Sequence, residues 1–233
     1  MLQVRRASER GTANFGWLNA NYTFSFSYYY DPNFMGFRNL RVMNEDYIEG
    51  GRGFGTHGHE NMEILTFAVE GALAHKDSTG GEGTLKPHEV QRMSAGTGVQ
   101  HSEFNASPTE KAHIYQIWIL PEKDGIEPSY EQKYFAPEEK QGKLKLVAAP
   151  DARDGAVKIH QDVEVYTSIL AKGEEVTHEL AENRYAWLQI VKGSVALKGE
   201  ILNASDGVAI SDETLLKIKS LEDETEFLLF DLN

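Results

Sequence analysis

His57 and His59 stand two residues apart, and further along the chain His101 and Glu103 repeat that interval with residue types that bind divalent metals. In an extended strand the side chains alternate between faces, so each interval of two places both members on one side. Two such strands lying side by side point three imidazoles and a carboxylate into one volume. That donor set offers nitrogen and oxygen without thiolate. It suits iron, nickel, copper, zinc or manganese rather than calcium or magnesium.

A His-x-His pair alone is an ordinary strand feature, and the segments leading into the pairs add the weight. Gly50-Gly51-Arg52-Gly53-Phe54-Gly55-Thr56 precedes His57, and Met93-Ser94-Ala95-Gly96-Thr97-Gly98-Val99-Gln100 precedes His101. Glycine before a strand of ligands permits tight turns and close backbone approach. Glu63 lies four residues past His59 and stays in phase with both histidines if that strand is unbroken. It is then a candidate base, or a partner that orients a ligand imidazole.

The elements that must position these residues read as short strands. Glu63–Val69, His113–Leu120 and Ala186–Val191 are rich in β-branched and aromatic residues and are bounded by turns. Regular turn spacing predicts an all-β sandwich or barrel. Pro121, Pro128 and Pro137 punctuate a polar connection, which places a boundary near residues 136–142 and divides the chain into 1–136 and 137–233. The second part reads as an altered copy of the first. Val191-Lys192-Gly193-Ser194-Val195-Ala196-Leu197 parallels Val69-Glu70-Gly71-Ala72-Leu73-Ala74-His75, and a glycine-then-histidine entry recurs at Gly173 and His178. Leu180 takes the place of the second histidine, and no His-x-Glu follows Gly207, so this copy is expected to bind no metal.

Composition bounds the remaining possibilities. The chain has 233 residues, 40% hydrophobic and 25% charged, as in ordinary globular proteins. Cysteine is absent, which excludes disulfides and thiolate metal sites. A net charge of −13 argues against direct nucleic-acid binding, which needs a basic patch; Arg5, Arg6 and Arg10 form only a small cluster. No apolar run approaches the length of a membrane helix, and none follows the basic start, so a cytoplasmic location is expected. His75, His88 and His113 are expected to have ordinary strand or turn roles, and His160 and His178 structural or surface ones. The rings from Trp17 to Phe37 are expected mainly in the core, with a few bordering any flat aromatic substrate.

The two metal-type segments resemble the paired cupin motifs, and the match extends further. Gly16-Trp17-Leu18, Tyr29-Tyr30-Asp31-Pro32, Met35-Gly36-Phe37, Gly53-Phe54-Gly55-Thr56-His57, His75-Lys76-Asp77-Ser78 and Met93 through Glu103 resemble the pirin family, nearest its bacterial quercetin 2,3-dioxygenase-like members. Counted back from the glycine that ends the strand, the usual cupin first-motif carboxylate falls on Ile64. The pirin pattern instead maps its ligands onto His57, His59, His101 and Glu103. The resemblance implies a bicupin, with one metal in the first domain and none in the second. It also implies a metal-dependent dioxygenase that cleaves flavonols such as quercetin with O2, giving a depside and carbon monoxide. Iron is the first expectation, with copper, nickel, zinc or manganese as alternatives. Glu63 and Glu103 are the expected catalytic carboxylates. Two other readings are a redox-responsive metal protein that regulates a protein partner, and a cupin enzyme acting on another small molecule.

Overall fold

The computed structural model describes residues 1–233 and is almost entirely β. Its contacts divide it into two compact units. One comprises Gly11–Tyr134 with Val157–Gln161, and the other comprises Met1–Arg10, Phe135–Ala156 and Asp162–Asn233. No helix is long and apolar enough to cross a membrane.

In the first unit, the strand Glu63–Glu70 lies in a large antiparallel sheet between Glu89–Ser94 and Ala112–Ile119, with Leu40–Ile48 beyond. A smaller sheet runs in the order Gly53–His59, Val99–Asn105, Leu73–Asp77, Glu82–Leu85. Leu18, Ile48, Leu73, Leu85 and Ile114 form part of an apolar cluster in this unit, and Ile64, Met93 and Val99 belong to another. Gly71 makes the turn from one sheet to the other. Its φ is +72°, and a Cβ there would lie 2.7 Å from the Lys111 carbonyl oxygen, so only glycine fits.

The second unit repeats the frame. Tyr185–Lys192 lies between Gly207–Ile210 and Thr225–Leu232, with Val163–Leu170 beyond. Its small sheet runs Glu175–Glu179, Leu215–Ser220, Ser194–Leu197, Glu200–Asn203. Gly193, with φ +75°, makes the turn that Gly71 makes in the first unit. The chain start belongs here. Leu2–Arg5 pairs along Gly207–Ile210, and Arg6 reaches Asp206 and Glu200 at 3.0 Å each.

Candidate metal centre

Strand register builds this site. His57 pairs with His101 across the small sheet, and His101 pairs on its other side with Asp77. Along Val99–Asn105 burial alternates strictly, with Val99, His101, Glu103 and Asn105 inward. A strand that turns its polar residues inward must supply partners for them or face a ligand. Asn105 has its partners within the protein. Its amide donates to the Ile48 and Glu110 carbonyls at 2.9 and 2.8 Å and accepts from Ser107 N–H at 2.9 Å. The others do not.

The donor atoms of His57, His59 and His101 lie within 4.8 Å of one another. Hydrogen bonds on the far sides of two rings define which nitrogen is free. His57 Nδ1–H donates to the Gly55 carbonyl at 2.8 Å, which leaves Nε2 as a lone-pair donor. His101 Nδ1 is 3.5 Å from His75 Nδ1, and its Nε2 is 3.0 Å from His57 Nε2. With both Nε2 atoms unprotonated, as ligation requires, that separation suits a cation shared between them. Imidazoles bound about 2.1 Å from one ion at right angles would be about 3.0 Å apart. His59 Nε2 and Glu103 Oε1 are buried without a hydrogen-bond partner. These unmatched atoms fit a divalent transition metal.

Electrostatics favour the ligating forms of the imidazoles. Burial, reinforced by His57, holds His59 down at about 4, and burial with neighbouring imidazoles holds His101 at about 3. Both are therefore neutral near pH 7, as ligation requires. Burial raises Glu103 to about 7, opposed by its hydrogen bond from Gln116. That bond, Gln116 Nε2 to Glu103 Oε2, is 2.8 Å long, and Trp118 Nε1–H orients Gln116 at 3.2 Å. One oxygen of Glu103 is thus fixed and the other is free.

The centre opens on a cavity of about 440 Å³. Trp17, Leu18, Tyr22, Phe26, Phe54 and Trp118 form its apolar wall, while His57, His59, Glu103, Gln116, Asn44 and Asp46 form its polar end. Of the aromatic opening of the chain, Trp17, Tyr22 and Phe26 border the cavity, Phe24 is buried in the core, and Tyr28 and Tyr30 are exposed.

Glu63 is placed elsewhere. The strand carrying His57 and His59 ends at His59, and after a turn through Asn61, whose φ is +48°, Glu63 begins a strand of the other sheet. The phase that would have aligned Glu63 with the histidines is lost at that turn. Its Oε2 accepts the His160 backbone N–H at 3.0 Å, with His160 Nδ1 at 3.4 Å, and it does not line the cavity. His160 thus acquires a defined role, anchoring Val157–Gln161 within the first unit.

The sequence assigned no role at the site to Asn44, Asp46 or Asp77, and gave His75 an ordinary strand or turn role. Asn44 and Asp46 reach the cavity from the large sheet. Asn44 Oδ1 and Asp46 Oδ1 are both buried without a partner. His75 and Asp77 lie behind His101, with His75 Nε2 3.0 Å from Asp77 Oδ2. The available signal was the same interval of two that marked the ligand pairs.

A family model described as Pirin matches residues 3–119, and one described as quercetinase C-terminal cupin domain matches residues 146–232. The quercetin 2,3-dioxygenase of Escherichia coli (strain K12) is 53% identical over 232 residues, covering 100% of this chain and 99% of that protein. The pirin-like protein of Caulobacter vibrioides is 40% identical over 232 residues, covering 99% of each. The crystal structure of the bacterial pirin YhhW from Escherichia coli in complex with nickel(II) superposes with a TM-score of 0.94 at 52% identity, covering 100% of this chain and 99% of that one. With two cupin units, a histidine trio in the first and matches along its whole length, the chain belongs to the pirin family.

Proposed function

We propose that this chain is a quercetin 2,3-dioxygenase, joining O2 to a flavonol to give a depside and carbon monoxide. The observation that carries the proposal is the trio of His57, His59 and His101 opening, beside Glu103, on an aromatic-walled cavity of about 440 Å³. That volume lies in the range of sites for drug-sized molecules, the size class of a three-ring flavonol. The 53% identity to the Escherichia coli quercetin 2,3-dioxygenase over the full chain supports the same activity.

His57, His59, His101 and Glu103 hold the ion, with iron first and nickel, copper, zinc or manganese as alternatives. When bound, the metal supplies Lewis acidity toward the substrate's 3-hydroxyl and a path for electrons toward O2. The chain's own groups do the rest. Glu103, with Oε2 pinned by Gln116, is the carboxylate placed to accept the 3-hydroxyl proton. The rings of Trp118, Phe26 and Tyr22 present flat apolar surface to a planar substrate and exclude water. Asn44 and Asp46 offer acceptors to the hydroxyls of the substrate. Glu63 has no part in the proton transfer, because the turn at Asn61 takes it out of the cavity.

The test is loss of the visible absorbance of quercetin under O2, with carbon monoxide measured as product. Protein loaded separately with iron, copper, nickel or manganese is compared with free metal and with His59→Ala. Parent turnover with at least one metal, lost in His59→Ala, supports the proposal. If every loaded form leaves quercetin intact at the rate of free metal, the dioxygenase reading fails and a metal-dependent regulator becomes the better account.

A further inference from the structure

Behind the metal centre, on the strand Leu73–Asp77, lies a polar pair outside the substrate cavity. His75 and Asp77 are both buried, and both ring nitrogens of His75 are engaged. Nε2 faces Asp77 Oδ2 at 3.0 Å, and Nδ1 faces His101 Nδ1 at 3.5 Å. The second set of clustered donors, His75, His101 and Glu103, therefore gives no separate metal site, since His75 has no lone pair left to offer. The Tyr130 ring stacks on His75 with centroids 4.9 Å apart, which limits rotation of the imidazole.

We propose that Asp77 and His75 are positioning residues that set metal affinity by locking the tautomer of His101; this rests on reading His57, His59 and His101 as ligands. A carboxylate only accepts, so Asp77 requires the proton of neutral His75 on Nε2, and His75 Nδ1 is left as an acceptor. His101 must then place its own proton on Nδ1, which donates to His75. Its Nε2 is freed toward His57 Nε2, where the ion would sit.

Asp77 is itself held in one orientation. Its Oδ1 accepts the Thr79 N–H at 2.8 Å, the Thr79 hydroxyl at 2.6 Å and the Gly81 N–H at 3.0 Å. Two of these donors are backbone groups that have no alternative role. In Asp77→Asn the amide oxygen is kept by those donors, and the NH2 group is turned on His75 Nε2. The relay then reverses: His75 carries its proton on Nδ1, His101 carries its proton on Nε2, and a ligand atom is blocked. A near-isosteric substitution outside the cavity thereby acts on the metal.

The experiment measures nickel(II) affinity by titration calorimetry, with the tautomer of His101 read in metal-free protein by 15N NMR of labelled histidines. Asp77→Asn is expected to bind nickel about 10–100-fold more weakly and to show His101 protonated on Nε2. If its affinity stays within about threefold of the parent, or the tautomer is unchanged, the relay is overturned. Should Asp77→Asn not fold, His75→Asn and His75→Leu carry the test. Asparagine restores an acceptor near the Nδ1 position and leucine does not, so asparagine is expected to retain more nickel affinity. Equal affinities overturn the relay. His59→Ala separates the two readings: if it keeps parent affinity, the ligand assignment and the relay fail together. If it loses nickel while Asp77→Asn keeps it, the relay alone fails.

Discussion

The same strand frame is built twice in this chain, and the two copies are filled in opposite ways. In the small sheet of the first unit, Val99–Asn105 turns His101 and Glu103 inward. In the corresponding strand of the second unit, Leu215–Ser220, burial also alternates, but the inward residues are Leu216 and Ile218, with Lys217 and Lys219 outward. Their cross-strand partners on Glu175–Glu179 are His178 and Val176. Leu216, Ile218, Val176 and Leu180 join one apolar cluster, and His178 bonds Asp231 at 2.8 Å. A cupin frame thus needs its turn glycines and its period-two strands, but it has no inherent need of a metal. The interior is either packed with hydrocarbon or kept open around ligands.

Breaking the first copy at its ligands has the largest expected effect. His101→Ala removes a donor and the contact that His75 makes, and bound metal should fall from one equivalent per chain to a small fraction. Metal analysis after dialysis checks it, and a full equivalent retained would contradict the site. His178→Ala is the matched control and should leave the stoichiometry unchanged.

Breaking the second copy should cost stability and leave metal alone. Ile218→Ala empties part of a closed core, for which a loss of about 2–5 kcal/mol is expected. Denaturant unfolding measures it, with metal content unaltered. An Ile218→Ala protein as stable as the parent would show that the second interior is less tightly packed than its burial indicates.

Removing the metal gives an effect of middle size. An ion bound only by the folded chain contributes about 2.7 kcal/mol when present at 100 times its Kd. Chelation should therefore lower Tm in the parent and leave His101→Ala unaffected. Equal shifts in the two proteins would mean that the ion stabilises some other site.

The last effect is a pH dependence confined to the cavity. Asp46 is raised from its ordinary 3.8 to about 8, first by burial and then by Glu103 and Glu45. A carboxyl whose proton is held more tightly in the fold contributes stability in full below about pH 4. Between that pH and about 8 the unfolded chain releases the proton and the folded chain keeps it, so stability falls as pH rises. In metal-free protein, Asp46→Asn removes this fall. Its stability relative to the parent should therefore grow from pH 5 to pH 8; parallel curves would show that Asp46 is already ionised.

The convergence of His57, His59 and His101 was legible because strand parity is a local rule. Residues two apart share a face whatever the rest of the chain does, so His57 with His59 and His101 with Glu103 could be paired from their spacing alone. The apolar filling of the second copy was legible at Leu180, which lies in its core cluster. Glu63 shows where that rule ends. Parity carries no information across a turn, and the positive φ of Asn61 moved Glu63 into a different sheet and onto His160.

By itself the sequence determined the β architecture, the doubled frame and the donor types. Each follows from periodicity, turn residues and side-chain chemistry, which act over a few neighbouring residues. Only the tertiary structure decided which strands lie together. That choice set His75 and Asp77 behind His101, brought Asn44 and Asp46 to the cavity, and paired Leu2–Arg5 with Gly207–Ile210 in the second unit. The physical reason is that strand pairing joins groups remote along the chain, and the register that satisfies their buried polar atoms has no signature in either segment alone.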